Sequence, residues 1–393
     1  MKIAYVGDFI NHGKSLHTTG TPLVILLSLL NNVDSIDVYC PKVNEEIEYF
    51  ELPRKVRLME FYEYDDPLSI IKLLEINWLN YDLVIFNLLP TGFGRRSLAN
   101  ASALIIPLLL VKVFRMINIQ IIYHNSVFTN DVRRLGYDSA FDKFRLFLLR
   151  IVERTLFKNV STYVLLKLYK HRIKESIGKN QVHLLPIRYL EAITTLYINN
   201  VLNMENLKIE KTDPSTILMH GSWGPQKNIE LGLSSLRNLK KQGIKFKLII
   251  SGGINHHFSK YEEKFHELLA SYSDVVNQYL GPIDERRILG IFLETSLLIL
   301  PYNTPGGHSG VLEQAIFFET PTVVLDFPEY REQAKGVASV RVTSKRDFEK
   351  SIYEMLKVSA KTSNLIINRK IDEVMHETEK YIFLKIKRSH DKE

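Results

Sequence analysis

Three stretches in the second half of the sequence combine small residues with groups that can bind anions. The first, HGSWGPQKN at 220–228, contains Lys227, whose ammonium can neutralise a phosphate near the start of a helix. The second is SGGINHH at 251–257, and the third is LPYNTPGGHSGVLEQA at 300–315. Each follows an apolar run, so each is expected at the carboxyl end of a strand, where open parallel sheets bind ligands.

The third stretch supplies most of the predicted contacts. Its small residues lead into a helical pattern, and unpaired backbone amides at such a helix start can hold a diphosphate. Glu313 stands one turn into that helix, where its carboxylate can accept hydrogen bonds from a ribose diol. A single loop of this kind is usually a plain turn, but three at successive strand ends favour a nucleotide site. The predicted donor-binding residues are Gly221, Ser222, Gly252, Gly253, Gly306, Gly307, His308, Ser309, Gly310 and Val311.

The elements that would position these residues alternate along the chain. Short β-branched runs are separated by amphipathic stretches, which predicts doubly wound parallel sheets. The alternation weakens near 190–212 and then restarts, so we expect two Rossmann-like α/β domains, at 1–195 and 210–365, and a C-terminal helical segment at 366–393. The expected strands are 2–6, 35–40, 83–86, 119–124 and 161–166, then 215–221, 245–253, 273–281, 296–302, 320–326 and 338–342.

The first glycine loop, GDFINHGKS at 7–15, has the letters of a nucleotide-binding P-loop but not its spacing. A P-loop needs four residues between its first glycine and Gly-Lys-Ser/Thr, whereas Gly7 and Gly13 are separated by one more. The extra residue turns the next amides away from a phosphate. A P-loop NTPase is therefore excluded.

Composition narrows the classes of protein to which the chain could belong. The only cysteine is Cys40, which excludes an internal disulfide or a cysteine metal site and fits a reducing cytosol. The amino terminus lacks the layout of a signal peptide. The longest apolar run of the first half, 103–111, is shorter than the ~20 residues of a membrane span. Because no Asp-x-Asp motif or metal-ligand spacing occurs, we expect a metal-independent protein of the cytoplasm.

The net charge of +7 is concentrated in residues 91–190, which hold 17 Lys/Arg and 5 Asp/Glu. Such an excess predicts an anionic partner. Within it, FDKFRLFLLRIVERTLFK at 141–158 has apolar residues on one side and basic residues around them, as in helices that lie on anionic membranes. Any helix that covers a sheet shows the same periodicity. A nucleic-acid-binding protein is a further alternative, but the aromatic residues have core helical spacing, so no nucleic-acid partner is expected.

The second half of the chain resembles the nucleotide-sugar domain of GT-B glycosyltransferases, in particular the large retaining family 4. Residues 221–227 are similar to the family's phosphate loop. SGG at 251–253 and YLGPIDERRILGIF at 279–292 are similar to the run that follows it. LPYNTPGGHSGVLEQAIFFETPTVV at 300–324 resembles its nucleotide-sugar loop. The resemblance covers 215–330 well and the first half by its layout alone.

This resemblance implies a fold, a reaction and partners. The fold is two Rossmann-like domains facing across a cleft. The reaction is the transfer of a hexose from a UDP- or GDP-linked sugar to a glycan or lipid-linked glycan, with no cofactor beyond that co-substrate. The catalytic residues implied are His124, Lys227 and Glu313. A lipid-linked acceptor would fit a peripheral position on the inner face of the cell membrane.

The resemblance also implies acceptor-side residues in the first half. In the family, a glycine-containing loop after the first strand reaches toward the donor's phosphates and the acceptor, which points to Gly13, Lys14 and Gly20. PTGFGRR follows the strand at 83–86, and its Arg95 and Arg96 are candidates for binding an acceptor phosphate.

Two positions depart from the family pattern. The first Glu of the family's E-x₇-E falls on Pro305, whereas the second falls on Glu313. The Arg that usually follows the first glycine of the phosphate loop is Ser222. His308-Ser309-Gly310 is the candidate to replace the missing Glu in sugar recognition. An inactive relative and a nucleotide-sugar 2-epimerase on the same fold are alternatives, and the epimerase would need no acceptor.

Overall fold

Two compact units make up the chain: Met1–Leu190 with Glu373–Glu393, and Glu191–Asp372. Each unit is built around one parallel β-sheet. The computed structural model describes residues 1–7, 20–42, 52–64, 66–88, 97–113, 118–124, 126, 128, 140–185, 187–198, 215–283, 285–304, 307–357, 370–378 and 380.

The first unit contains a seven-stranded sheet in the order β3-β2-β1-β4-β5-β6-β7, with all pairs parallel. The strands are β1 (Lys2–Gly7), β2 (Ser35–Pro41), β3 (Val56–Tyr62), β4 (Leu83–Leu88), β5 (Ile119–Tyr123), β6 (Ser161–Val164) and β7 (Val182–Leu184). The helices are α1 (Gly20–Ser28), α2 (Pro67–Ile71), α3 (Ser97–Val113), α4 (Ala140–Asn159) and α5 (Lys167–Ile177), with 3₁₀ turns at Lys72–Glu75 and Trp78–Asn80.

The helices that follow β3, β4, β5 and β6 share one face of this sheet. Connections between parallel strands are right-handed, which places α2, α3, α4 and α5 on the same side. The core beneath them joins Phe86 of β4 to Ile70, Leu104, Leu156 and Ile173, one from each of these helices. α2 packs beside α3, and α3 beside α4. Burial on both faces explains why LVIFNL of β4 is an uninterrupted buried run.

The second unit has six parallel strands in the order β10-β9-β8-β11-β12-β13. The strands are β8 (Thr216–His220), β9 (Lys247–Ser251), β10 (Val276–Tyr279), β11 (Leu297–Leu300), β12 (Thr322–Leu325) and β13 (Val340–Thr343). The helices are α6 (Leu190–Ile198), α7 (Ile229–Lys241), α8 (Glu262–Ser271), α9 (Glu285–Glu294), α10 (Gly310–Phe317), α11 (Pro328–Gln333) and α12 (Phe348–Leu356). A further helix spans residues 370–378; its first three residues belong to this unit and the rest to the first unit.

The two Rossmann-like sheets predicted from the sequence are confirmed, and every expected strand is present. The additional strands β3 and β7 are the two edges of the first sheet. An edge strand is not buried like a central one, and β3 exposes Arg57 and Glu60, while β7 has three residues. The predicted domain bounds stay predictions, because 199–214 and 358–369 lie outside the described residues.

The pattern of apolar residues over 68–77 predicts a helix, and the helix found there is shorter. α2 ends at Ile71, and 3₁₀ turns follow. The buried Trp78 indole N–H donates to the Leu73 carbonyl at 3.0 Å, which occupies a carbonyl that a continuing α-helix would use.

Candidate functional site

The strand order of the second unit reverses between β8 and β11. In sheets of this topology the ligand lies beyond the carboxyl ends of the strands at the reversal point. β8 ends at His220 and β11 at Leu300. The loops that follow them are two of the three glycine-containing stretches predicted to bind a nucleotide. The backbone amide of Asn303 donates to the Gln226 carbonyl at 2.9 Å, which joins these two loops directly.

The loops after β8 and β9 approach so closely that only glycine fits at their contact. A Cβ on Gly252 would lie 1.9 Å from the Gly221 carbonyl oxygen, and Gly252 has a φ of +102°. The Gly221 and Gly252 amides donate to the carbonyls of Ser251 and Gly281. These two predicted donor-binding residues therefore bring the loops together, while their own amides are engaged within the protein.

Further hydrogen bonds hold the same two loops. The Trp223 amide donates to the Gly253 carbonyl at 2.8 Å, and the Asn255 amide donates to the Trp223 carbonyl at 2.7 Å. The buried indole of Trp223 also donates to the Ser251 carbonyl at 3.0 Å. Ser222, which precedes this tryptophan, is exposed. The side chain at 222 is thus open to solvent while its neighbours are fixed.

Lys227 ends the 3₁₀ turn Pro225–Lys227 and lies at the reversal point. Its Nζ stands 3.6 Å from the centroid of the Tyr302 ring, and the Tyr302 hydroxyl donates to the His220 carbonyl at 2.8 Å. The side chain is half-buried, and this burial lowers the pKa of Lys227 to about 8. No carboxylate of the described residues forms an ion pair with it. An anionic ligand would supply the missing counter-charge.

The start of α10 is fixed by two side chains. Ser309 caps the helix, with its Oγ accepting from the Leu312 amide at 3.3 Å. Buried Gln333 accepts from the Ser309 amide and donates to the Ser309 carbonyl, both at 3.1 Å. The Ser309 amide, expected to face a diphosphate, is thus occupied. Within the described chain, the amides of Gly310 and Val311 donate to no protein acceptor, so they can bind an anion.

Glu313 and His308 form a buried pair at this helix start. His308 Nε2 lies 2.9 Å from Glu313 Oε1, and each side chain is about one-tenth exposed. Glu313 is predicted to bind a ribose, and His308 to replace the missing family Glu. The structure brings these two residues into contact. Pro305 and Gly306 lie outside the described residues, and Gly307 is buried.

The far end of α10 is also held. Lys370 Nζ donates to the carbonyls of Ile316 and Phe317 at 3.0 and 2.9 Å, and lies 3.3 Å from Glu319 Oε1. A cation at this end also complements the helix dipole. Both termini of α10 are therefore bound to side chains from other elements.

In the first unit, His124 directly follows β5 and is buried. Its Nε2 lies 2.6 Å from Oδ1 of Asn87 on β4, and its amide donates to the Leu88 carbonyl at 3.3 Å. Both contacts tie the histidine to the neighbouring strand. They fix the orientation of the ring at the carboxyl end of the sheet.

A buried carboxylate that the sequence analysis missed binds two residues that lie on either side of this histidine in the chain. Glu153 of α4 is fully buried and accepts from the Tyr123 hydroxyl at 2.6 Å and the Ser126 hydroxyl at 2.5 Å. Ser126 Oγ also accepts from the Phe128 amide at 3.1 Å. Burial raises the pKa of Tyr123 well above its usual value. In the sequence, Glu153 is the one glutamate in the basic stretch 141–158, and this contrast could have indicated a buried carboxylate.

The remaining predicted residues are located only in part. Gly13, Lys14, Arg95 and Arg96 lie outside the described residues, and Gly20 begins α1. Among the described residues no group of three or more His, Cys, Asp or Glu could hold a metal ion. None of the helices in that part of the chain is long and apolar enough to cross a membrane.

Comparisons with known proteins give likeness in structure only. No family model matches the sequence, and no curated protein matches it. Sucrose-phosphate synthase from Thermosynechococcus elongatus is similar with a TM-score of 0.68 and 14% identity, covering 98% of each chain. Anabaena HepE in complex with UDP and glucose is similar with a TM-score of 0.64 and 12% identity, covering 98% of this chain and 99% of that one.

A third similar structure belongs to another enzyme class. UDP-GlcNAc 2-epimerase from Neisseria meningitidis, bound to UDP-GlcNAc, gives a TM-score of 0.55 and 13% identity and covers 97% of this chain and 100% of its own. At such identities the likeness shows the fold alone. That fold is the two-domain GT-B architecture predicted from the sequence.

Proposed function

We propose that this chain is a retaining glycosyltransferase that moves a hexose from a UDP- or GDP-linked sugar to a glycan or lipid-linked glycan. The observation that carries the proposal is the half-buried ammonium of Lys227, which has no described carboxylate partner and stands at the strand reversal of the second unit. The next loop at that reversal ends in the amides of Gly310 and Val311, which donate to no acceptor among the described residues. Together these groups suit a nucleoside diphosphate.

The proposed chemistry needs negative charge to be stabilised on the leaving group. The acceptor oxygen bonds to the anomeric carbon while the bond from that carbon to the diphosphate oxygen breaks. Lys227 and the two amides of α10 stabilise the departing diphosphate, without a metal ion. The acceptor oxygen attacks from the face that the diphosphate leaves, so the anomeric configuration is retained, and the acceptor's proton passes to an oxygen of the departing diphosphate.

The remaining residues of the proposal position the substrates. Glu313 accepts hydrogen bonds from the ribose diol, and His308 orients its carboxylate through the 2.9 Å contact. His124 contacts the transferred sugar, and its ring is held by Asn87. Ser222 and Gly253 are the further donor-binding residues of the two preceding loops.

The acceptor is bound in this proposal by the first unit. Gly13, Lys14 and Gly20 face the acceptor, and Arg95 and Arg96 bind a phosphate on it. A lipid-linked acceptor would place the enzyme in the cytoplasm at the inner face of the cell membrane.

A thermal-shift panel of UDP-, GDP- and ADP-sugars tests the donor site. We expect one class to raise the melting temperature, and Lys227→Ala and Glu313→Ala to abolish the rise. Lys335→Ala is the matched control, because this lysine is exposed in the same unit. A panel in which no nucleotide sugar stabilises the wild-type chain would overturn the proposal.

The second candidate function is a nucleotide-sugar 2-epimerase. The structural likeness to an epimerase bound to UDP-GlcNAc supports this second candidate. An epimerase converts the donor without an acceptor, so proton NMR of the stabilising nucleotide sugar, incubated with the enzyme alone, separates the two functions. Inversion at C2 would identify the epimerase, whereas a donor unchanged until an acceptor is added would identify the transferase.

A further inference from the structure

Exposed apolar side chains are concentrated on one face of the first unit. Ten large apolar side chains are exposed among the described residues, and nine of them belong to α2, α3, α4 and the 3₁₀ turn Trp78–Asn80. The tenth is Tyr353 of the second unit. The nine side chains define what we call the α2–α4 face, and they are between 40% and 74% exposed: Leu68, Ile71, Leu79, Ile105, Leu109, Phe144, Phe147, Leu148 and Ile151.

The spacing of these residues arranges them in stripes. Ile105 and Leu109 are four residues apart on α3, and the four residues of α4 follow a 144, 147, 148, 151 pattern, which places each set on one side of its helix. Of the described side chains between 144 and 152, none is fully buried. One side of α4 therefore presents apolar residues to solvent, while Leu149, Val152 and Leu156 on the other side pack against the core.

Basic residues are concentrated at the α4 side of this face. α4 carries five Lys/Arg and two Asp/Glu, and one of those acids, Glu153, is buried against Tyr123 and Ser126. α5, on the same side of the sheet, carries four Lys/Arg and one Glu. Lys112 is the only charged residue of α3. The charge beside the stripes of α3 and α4 is thus strongly positive, while α2 and its two turns carry one lysine and one glutamate, Lys72 and Glu75.

We propose that the α2–α4 face docks on an anionic lipid bilayer. Apolar stripes inserted at the headgroup level and basic side chains on lipid phosphates are the two components of stable interfacial binding. A second copy of the chain is a poorer occupant, because a two-fold contact would bring two basic surfaces together. The inference concerns a surface rather than the donor site, so it stands apart from the proposed transferase activity.

Vesicle co-sedimentation of the full chain tests this proposal. The chain is expected to bind vesicles of phosphatidylcholine mixed with phosphatidylglycerol, to bind phosphatidylcholine alone weakly, and to be released at about 1 M salt, where the Debye length is about 3 Å. Phe147→Ser with Ile151→Ser, and separately Arg150→Glu with Arg154→Glu, should each lower the partition by about tenfold or more.

Matched variants from the second unit separate this surface from general effects. Tyr353→Ser removes an exposed apolar side chain, and Lys345→Glu with Arg346→Glu reverses two exposed charges, and both should leave binding unchanged. Circular dichroism melts check that each variant is folded. The proposal is overturned if the wild-type chain binds neither vesicle, or if the controls weaken binding as much as the α2–α4 variants do. It is also overturned if Phe147→Ser with Ile151→Ser only converts a dimer into a monomer.

Discussion

At the scale of single residues, the proposed donor site combines a lysine that has no carboxylate partner among the described residues with two glycines in close contact. The sequence predicted Lys227 at the site from its place after a glycine-containing turn. It could not predict the lowered pKa, which depends on burial against Tyr302, 75 positions further along the chain. The pKa matters because a lysine titrating near neutrality makes ligand binding dependent on pH.

We expect the affinity for the nucleoside diphosphate to fall as the pH rises through about 8, the pKa of Lys227 in the free protein. Below this pH the ammonium is already charged, whereas above it binding must first take up a proton, at a cost of about tenfold per pH unit. Calorimetric titrations with UDP in buffers of different ionisation enthalpy measure that proton uptake. Lys227→Arg should remove the dependence, since arginine stays charged.

A second prediction at this scale concerns Gly252. Gly252→Ala should destabilise the fold by about 3 kcal/mol or more, because the new Cβ meets the Gly221 carbonyl at 1.9 Å and φ is positive. Gly243→Ala is the control, since Gly243 has a φ of +85° with nothing within 4 Å of its Cβ position. Its cost should be about 1 kcal/mol. Equal urea midpoints for the two variants would contradict the clash.

At the scale of elements, α4 has two opposed sides. One side buries Glu153 under the segment that follows β5, and the other presents apolar residues to solvent. The sequence showed the amphipathic pattern of 141–158 but not which apolar residues face the core. Helix periodicity fixes relative positions around a helix, whereas the rotation of the helix on its sheet depends on contacts with β5.

We expect Glu153→Ala to destabilise the protein by about 3 kcal/mol, because the buried hydroxyls of Tyr123 and Ser126 lose their acceptor and a cavity opens. Urea unfolding followed by circular dichroism provides the measurement. Glu175→Ala, an exposed glutamate on α5, should change stability by less than about 0.5 kcal/mol. If both substitutions have the same small effect, the carboxylate does not hold this segment.

At the scale of the whole molecule, the parallel sheets followed from the sequence because central strands buried on both faces are continuous apolar runs. Edge strands β3 and β7 lack that pattern, so the sequence did not predict them. The hydrogen bonds that hold the candidate site residues were also not predicted from the sequence. Gln333 with Ser309 and Asn87 with His124 pair across 24 and 37 positions, and such pairing depends on how elements pack rather than on local spacing.

Hydrogen exchange measured with and without UDP tests the proposed division of labour between the two units. The loops proposed to bind the donor belong to the second unit, so UDP should slow exchange at 221–228 and 309–313 most strongly. Amides of β6 and β7 in the first unit should exchange at unchanged rates. Protection confined to the first unit would contradict the assignment of the donor site.

The attachment of α10 at both ends has a consequence for affinity. Gln333 holds the residue before its first turn, and Lys370 holds its last carbonyls. A third contact, in which the side-chain Nε2 of Gln314 donates to the Thr195 hydroxyl at 3.2 Å, restricts rotation of the helix about its axis. A diphosphate would therefore meet amides that are already preorganised. Little of its binding energy would be lost to ordering the protein, and more would remain to stabilise the charge that develops as the sugar departs.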